Sequence, residues 1–200
     1  MLFRSATGER WAEVRRELYG PRFDLLGLLG LLDPSWTVGD LGCGVGSLSA
    51  SLGPHVERVV AVDSSEEMLA AASRTVGHLD NVEVRKGALE RLPIDDASLD
   101  AATLFLVLHH VATPAAVIAE AARVLAPGAP VLIVDMQRHD DEELATAMGH
   151  VWQGFDLGRI ETMVEEAGFE RTVVRPLPAD PEARGPSLPG AGRLGEVRRL

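Results

Sequence analysis

The chain has 200 residues, of which 46% are hydrophobic and 24% charged, the balance of a soluble globular protein. This length favours one domain, or one domain with a tail. Acidic residues outnumber basic ones 30 to 19, the net charge is −11, and Lys86 is the only lysine. Nucleic-acid binding is therefore not expected, because it needs clustered Lys and Arg. The single cysteine, Cys43, excludes an internal disulfide framework and a cysteine-only zinc site.

The first residues lack the apolar run of a secretory signal, and no stretch reaches the ~18 apolar residues of a membrane helix. We therefore expect a cytoplasmic protein that does not bind a membrane. Leucines are dense between positions 25 and 32. A helix packed over the sheet or the pocket explains this short stripe better than a membrane-facing one does.

In chain order, residues 1–35 read as helical segments broken at Gly20 and Pro21, which we interpret as an N-terminal helical cap. From there to position 134, short β-branched runs alternate with alanine-rich stretches. The β-branched runs predict a short strand before Asp40 and further strands at 59–62, 82–84, 99–106 and 131–134. The alanine-rich stretches predict helices at 66–76 and 114–125. This alternation predicts an α/β, Rossmann-like fold, in which a mostly parallel sheet carries helices on both faces.

The C-terminal segment changes in composition, because residues 176–200 hold five of the twelve prolines. Such a density of Pro and Gly is typical of a loosely ordered segment. We therefore divide the chain into a helical cap at 1–35, a Rossmann-like domain at 36–175 and a tail at 176–200.

The most informative motif, at residues 40–47, reads Asp-Leu-Gly-Cys-Gly-Val-Gly-Ser and follows a predicted strand. Glycines allow a sharp turn and let a ligand approach main-chain N–H groups at a helix start. A glycine triplet alone is also typical of a plain strand-to-helix turn. Asp63 adds to the signal, because it ends the second strand 17 residues past Gly46. A carboxylate at that position can accept hydrogen bonds from ribose hydroxyls.

Two residues bear on which nucleoside would bind. The dinucleotide fingerprint requires Gly or Ala at the last position of its glycine motif, where this chain has Ser47. Asp40, expected at the mouth of the site, would repel a pyrophosphate by ~1 kcal/mol or more per close charge pair. S-adenosylmethionine has no phosphate and carries an ammonium and a sulfonium. The residues therefore favour this methyl donor over NAD.

Five motifs in order resemble class I S-adenosylmethionine-dependent methyltransferases, of the type 11 group that includes ubiquinone and menaquinone enzymes. They are residues 40–46, residues 61–64 with Met68 and Leu69, residues 87–93, residues 108–111 and residues 120–128. The resemblance covers roughly residues 36–175.

More narrowly, Trp11, residues 15–23 and residues 148–155 resemble the methyltransferase module often fused behind an arsenic-repressor-type winged helix. We expect no winged helix ahead of this module.

The resemblance implies S-adenosylmethionine as the co-substrate and assigns its binding residues. Asp40, Gly42, Gly44 and Gly46 would bind the methionine and sulfonium end, with Cys43 as a small packing residue of that loop. Asp63 would hold the ribose, Ser64 and Met68 would flank the adenosine, Ala88 and Leu89 would lie beside the adenine, and Leu106 would line the methionine tail.

The chain departs from the family in two places. Many relatives carry an acid at the position of Ala88 to bind the adenine amino group. Residues 187–192 make a poor strand, so we expect the last antiparallel strand to be missing or badly formed.

Two histidines, His109 and His110, follow the fourth predicted strand, where active-site residues gather in parallel sheets. Either could be a base that deprotonates the methyl acceptor. We favour the alternative that they support the loop, because methyl transfer often needs only alignment. Asp135, His139 and His150 match no compact ligand spacing, so we expect a solvated loop there and no metal site.

The sequence therefore predicts an enzyme that transfers methyl from S-adenosylmethionine to a small molecule. One alternative is an NAD(P)-linked oxidoreductase, which NADH titration would reveal. Another is a non-enzymatic regulator or remnant, which would bind the donor without turnover. The acceptor and the oligomeric state are not readable from the sequence.

Overall fold

A computed structural model describes residues 8–177 and 194–198. Its helices are α1 (Gly8–Tyr19), α2 (Phe23–Leu28), α3 (Ser47–Leu52), α4 (Glu66–Val76), α5 (Pro114–Val124), α6 (Glu142–Met148) and α7 (Leu157–Glu166). Its strands are β1 (Thr37–Leu41), β2 (Arg58–Asp63), β3 (Val82–Lys86), β4 (Ala101–Phe105), β5 (Val131–Met136), β6 (Arg175–Pro176) and β7 (Leu194–Arg198). Short 3₁₀ turns cover Leu29–Leu31, Gly53–His55 and Leu108–His110.

The strands form one sheet in the order β3-β2-β1-β4-β5-β7-β6. Strands β1 to β5 are all parallel, and β7 is antiparallel to both β5 and β6. The chain builds outward from β1 to β3 and then returns to β4 on the other side of β1. Ligands of parallel α/β sheets bind at such a reversal, beyond the carboxyl ends of the strands. The predicted Rossmann-like fold is confirmed.

The last antiparallel strand is present and paired, so the expectation that it is missing or badly formed is wrong. Residues 194–198 pair along β5, from Met136 opposite Leu194 to Leu132 opposite Arg198. This pairing covers the edge that β5 would otherwise expose. The stretch at 187–192, on which the expectation rested, lies outside the described residues, and the strand follows it in the chain.

Helix α4 shows how local sequence sets an element's bounds. Its N-cap, Ser65, accepts a hydrogen bond from the backbone N–H of Met68, and Glu66 and Glu67 occupy the first turn. A capping hydroxyl satisfies one unpaired N–H, and acidic side chains complement the helix dipole. The predicted helix at 66–76 is confirmed.

The main core lies between the sheet and the helices α5 and α7. Its fully buried side chains include Leu41, Leu104, Leu108, Ile118 and Val164. A second cluster, formed by Val38, Leu52, Val56, Val59 and Ala101, lies against β1 and β2. The two clusters hold the sheet from both sides and fix the ends of its strands.

The N-terminal helices are present, but most of their apolar side chains face solvent. Leu25, Leu28 and Leu31 are exposed, whereas Leu29 and Leu32 pack against the second cluster. The expected packing of this stripe over the sheet therefore holds for two of its leucines. Among the described residues, no helix has the length and apolarity needed to cross a membrane.

We expect Leu104→Ala to lower the free energy of unfolding by ~2–5 kcal/mol, because it leaves a cavity in the close-packed main core. The matched control Leu31→Ala, at an exposed position, should change it by less than ~0.5 kcal/mol. Equilibrium unfolding in urea measures both. Equal losses in the two variants would contradict the placement of the core.

Candidate functional site

The glycine loop, residues 42–46, connects β1 to α3 at the carboxyl edge of the sheet. The backbone N–H groups of Gly42 and Cys43 both donate to the carbonyl of Val62, at 2.8 and 3.0 Å. The N–H of Gly46 donates back to the carbonyl of Cys43 at 2.9 Å. The loop is therefore fastened to the end of β2 and closed on itself.

Glycine is required at two loop positions for different reasons. A Cβ at Gly42, whose φ is +84°, would lie 2.4 Å from the Val107 side chain, so the loop is packed tightly against the chain that follows β4. A Cβ at Gly44, whose φ is +52°, would meet no atom within 4 Å. Gly44 therefore has an open side, onto which a ligand can approach the backbone.

Asp63, at the end of β2, links three loops. One carboxylate oxygen accepts the N–H of Gly44 at 2.9 Å, and the other accepts the N–H of Ser65 at 2.9 Å. Its own carbonyl accepts the N–H of Gly87, beyond β3, at 3.0 Å. An ionised carboxylate has about four acceptor positions. Asp63 is only half-buried, so acceptor positions remain for a ligand's hydroxyl groups.

Asp40 does not lie at the mouth of the site, and the expectation that it does is wrong. Its side chain is 2% exposed, accepts the hydroxyl of Ser49 at 2.5 Å and accepts that of Thr103 at 3.2 Å. Burial raises the pKa of Asp40, although these two hydrogen bonds act in the opposite direction. Asp40 therefore anchors β1 to α3 and β4 from beneath the loop, and its carboxylate does not face a ligand.

Cys43 is buried in the loop and packs with Ala61 and Ala72. Burial, together with the negative charges of Asp40 and Asp63, raises the pKa of its thiol to about 12. The expected role as a small packing residue agrees with these surroundings.

The residues assigned to the adenosine and to the methionine tail fall into two groups. Ser64, Met68, Ala88 and Leu106 are exposed at the carboxyl edge, and Leu106 has a φ of +55°. Leu89, by contrast, is buried in the main core. The expected place of Ala88 and Leu89 beside the adenine stays a prediction.

His109 is buried next to Asp135, a residue of β5 whose role the sequence did not reveal. Its Nδ1–H donates to one oxygen of Asp135 at 2.6 Å. The other oxygen accepts the backbone N–H groups of Val107 and Leu108, at 3.1 and 2.8 Å. Both side chains are 3% exposed. Asp135 therefore holds the turn after β4 and fixes the ring of His109.

The segment that follows α6 returns to this turn. The N–H groups of Val151 and Trp152 donate to the carbonyl of His109 at 2.9 and 3.0 Å. The ring of His150 lies 4.5 Å from that of His109 and 5.3 Å from that of His110, between centroids. Burial lowers the pKa of His150, and its imidazole neighbours lower it further.

Asp135 and His139 are buried, so the expectation of a solvated loop is wrong for both. His109 and His150 are 41 positions apart in the chain, so spacing arguments could not reveal that their rings lie close together. One available signal was an acid that ends a wholly apolar strand, because a buried carboxylate needs partners.

A groove of about 630 Å³ opens beside His150. Its wall includes Glu142, Trp152 and Arg159, and the guanidinium of Arg159 lies 4.4 Å from the centre of the Trp152 ring. This volume is in the range that accommodates small molecules.

We expect Ser49→Ala to destabilise the fold by ~1–3 kcal/mol, because it removes the closest donor to a buried carboxylate. Ser47→Ala, at an exposed position of the same helix, serves as the matched control and should have little effect. Urea unfolding decides the matter. A Ser49→Ala protein as stable as the wild type would contradict the anchoring role of Asp40.

Native Cys43 should resist alkylation by iodoacetamide at pH 8, because a thiol with a pKa of about 12 is almost wholly protonated there and is also buried. Mass spectrometry after a timed reaction measures this, with the protein in guanidinium as the reactive control. Equal rates in the two conditions would show that the loop is open.

Comparison with known proteins shows which family this sequence resembles. Residues 39–133 match the family described as a methyltransferase domain. An uncharacterized 37.1 kDa protein in transposon Tn4556 of Streptomyces fradiae is 44% identical over 106 residues, covering 50% of this chain and 31% of that protein. The uncharacterized methyltransferase YcgJ of Bacillus subtilis is 31% identical over 114 residues, covering 56% of this chain and 45% of that protein.

Among solved structures, an S-adenosylmethionine-dependent methyltransferase from Aquifex aeolicus superposes with a TM-score of 0.65 at 25% identity, covering 92% of this chain and 90% of that chain. The chain spans 31% to 50% of the length of the curated relatives compared. The glycine loop and most of the parallel sheet fall inside the matched region. Residues 39–133, slightly under half of the chain, are therefore similar in sequence to methyltransferase domains, and the chain shares its fold with a solved S-adenosylmethionine-dependent methyltransferase.

Proposed function

We propose that this protein transfers the methyl group of S-adenosylmethionine to a small-molecule acceptor. The observation that carries the proposal is the half-buried carboxylate of Asp63, which fixes the glycine loop and keeps acceptor positions for the ribose. It lies at the carboxyl edge, near the reversal of strand order, where this fold binds ligands.

The residues around this carboxylate fit the co-substrate. Gly44 leaves an open side against the backbone, and the exposed apolar side chains of Met68 and Leu106 offer non-polar surfaces beside the loop. When bound, S-adenosylmethionine supplies an electrophilic methyl group on a sulfonium. Asp63 would hold the ribose hydroxyls, while the glycine loop would hold the methionine end by main-chain contacts.

The burial of Asp40 changes the argument against NAD. A carboxylate beneath the loop does not contact a pyrophosphate, so charge repulsion by Asp40 does not discriminate between NAD and S-adenosylmethionine. Ser47 in place of the last fingerprint glycine and the match of residues 39–133 to a methyltransferase domain remain as support. The NAD(P)-linked alternative is not favoured.

The groove beside His150 is the proposed acceptor site. Two of its lining residues, Val151 and Trp152, donate backbone N–H groups to the carbonyl of His109 in the turn after β4. That turn packs on the glycine loop through Val107 and Gly42. Alignment of the acceptor with the sulfonium, with water excluded, would supply most of the rate acceleration. Of the two candidate bases, His110 is exposed and can reach an acceptor, whereas His109 is buried.

We also propose that the chain belongs to the subgroup fused to arsenic-repressor-type regulators. The motif at 148–155, which suggests this subgroup, is hydrogen-bonded to the turn after β4. The indole N–H of Trp152 donates to the carbonyl of Val111 at 2.9 Å, which joins that motif to the turn after β4.

Isothermal titration calorimetry with S-adenosylhomocysteine tests the co-substrate site. We expect one ligand per chain, and we expect Asp63→Ala to weaken binding by ~10–100-fold, because charge-assisted hydrogen bonds to the ribose are lost. Asp80→Ala, at an exposed carboxylate, is the matched control and should bind as the wild type does. No binding at millimolar ligand, or tighter binding of NADH, would contradict the proposal.

Turnover is measured separately, as formation of S-adenosylhomocysteine across a panel of oxygen, nitrogen, sulfur and carbon acceptors of small size. Acceptor-dependent formation supports the enzyme. Binding without turnover on every acceptor would favour a non-enzymatic regulator or remnant instead.

A further inference from the structure

Three imidazoles from two distant segments meet at the carboxyl edge of β4 and β5. His109 and His110 belong to the turn after β4, and His150 follows α6. Each offers one ring nitrogen such that the three atoms all lie within 4.8 Å of one another. Histidines in such proximity, one buried, one half-buried and one exposed, resemble a ligand set with an accessible side.

Hydrogen bonds at Nδ1 of two rings leave Nε2 of each as the nitrogen that can bind an ion. The Nδ1–H of His109 donates to Asp135, so the lone pair of its neutral ring is on Nε2. The Nδ1–H of His110 points to the carbonyl of Gly149 at 3.4 Å, which places its lone pair on Nε2 as well. A carboxylate behind a histidine is the arrangement that orients metal-binding imidazoles and raises their basicity.

The third ring has a buried nitrogen that lacks a partner. Among residues 8–177 and 194–198, Nδ1 of His150 has no hydrogen-bond partner, although the atom is buried. Nε2 of His139 and Oγ1 of Thr172 are also buried without a partner among these residues, but only the His150 ring belongs to the cluster of three. Buried polar atoms are nearly always paired, so the His150 nitrogen points to a partner that is not a protein side chain.

His139 differs from the other three. Its Nδ1 accepts the N–H of Asp141 at 3.2 Å, so the proton of its neutral ring is on Nε2 and the ring cannot ligate without breaking that bond. Its ring centre lies 6.0 Å from that of His150. His139 is therefore a neighbour of the cluster and is not counted among its ligands.

We propose that His109, His110 and His150 bind a divalent transition-metal ion of the zinc type. Imidazole suits Zn²⁺, Cu²⁺, Ni²⁺ and Fe²⁺, whereas Mg²⁺ and Ca²⁺ prefer oxygen ligands. Three histidines with an open fourth position are an established ligand set for zinc. This proposal differs from the sequence-based expectation that the chain has no metal site.

The backbone already holds the two segments together. The carbonyl of His109 accepts the N–H groups of Val151 and Trp152, so His150 cannot move far from His109. Ligand nitrogens of a tetrahedral zinc site lie roughly 3.3 Å apart, given Zn–N bonds of about 2.0–2.1 Å. The three ring nitrogens lie within 4.8 Å of one another, and rotation of the exposed His110 ring about its side-chain bonds can supply part of the approach that remains.

The position of the cluster suggests that a bound ion would activate the methyl acceptor, and this role rests on the proposed function. The cluster lies beside the acceptor groove, which His150 helps to line. An ion there could take an oxygen, nitrogen or sulfur atom of the acceptor in its open position and lower the pKa of that atom. Metal binding itself is independent of methyl transfer and can be measured without the co-substrate.

The test uses the full chain without a histidine tag, stripped with EDTA, in competition with a chromophoric zinc chelator. We expect one Zn²⁺ per chain and no binding of Mg²⁺ under the same conditions. With Co²⁺, we expect the intense visible absorption of a four- or five-coordinate ion. His110→Asn and His150→Asn should each weaken Zn²⁺ binding by at least ~10-fold, and Asp135→Asn by ~10–100-fold.

The matched control is His78→Asn, which removes an exposed histidine outside the cluster and should leave Zn²⁺ binding unchanged. Circular dichroism of each variant checks the fold, and His110→Asn, at an exposed ring, keeps the test decisive if Asp135→Asn unfolds. Absence of stoichiometric Zn²⁺ binding would overturn the inference, as would binding that His110→Asn and His150→Asn leave intact. Because no co-substrate is present, failure here does not bear on S-adenosylhomocysteine binding.

Discussion

The carboxylate of Asp63 is the interaction on which the co-substrate site depends. The glycine loop is fastened to the end of β2 by the backbone carbonyl of Val62 and by the side chain of Asp63. The two carboxylate oxygens of Asp63 accept N–H groups from Gly44 and from Ser65, which ties the loop after β1 to the loop after β2. The same residue is half-exposed, so the group that shapes the loop is also the one that can receive a ligand. Shape and recognition are therefore coupled in one side chain.

A second carboxylate, Asp135, does the corresponding work on the other side of the sheet's reversal point. It accepts two backbone N–H groups of the turn after β4 and fixes the ring of His109. Asp40, on β1 between β2 and β4, is buried, and its carboxylate accepts the hydroxyls of Ser49 and Thr103. Three acids at the ends of three strands thus have three tasks, decided by burial and by the donors that surround each of them.

Strands β1 to β5, helices α4 and α5 and the glycine loop were predictable because they depend on local patterns, such as the apolar run of β5 or the Ser65 cap. The position of Asp63 was predictable because it ends the second predicted strand, 17 residues past Gly46. The burial of Asp40 was not predictable, because it depends on hydroxyls 9 and 63 residues away. The approach of His150 to His109 and the pairing of β7 with β5 are likewise long-range, and propensity and spacing carry no information about such contacts.

The most direct test of the central claim is a crystal structure of the protein with S-adenosylhomocysteine. The account predicts that the ribose hydroxyls donate to the Asp63 carboxylate and that the methionine end lies along the open side of Gly44. A ribose bound elsewhere, with Asp63 in contact only with its own loops, would contradict it.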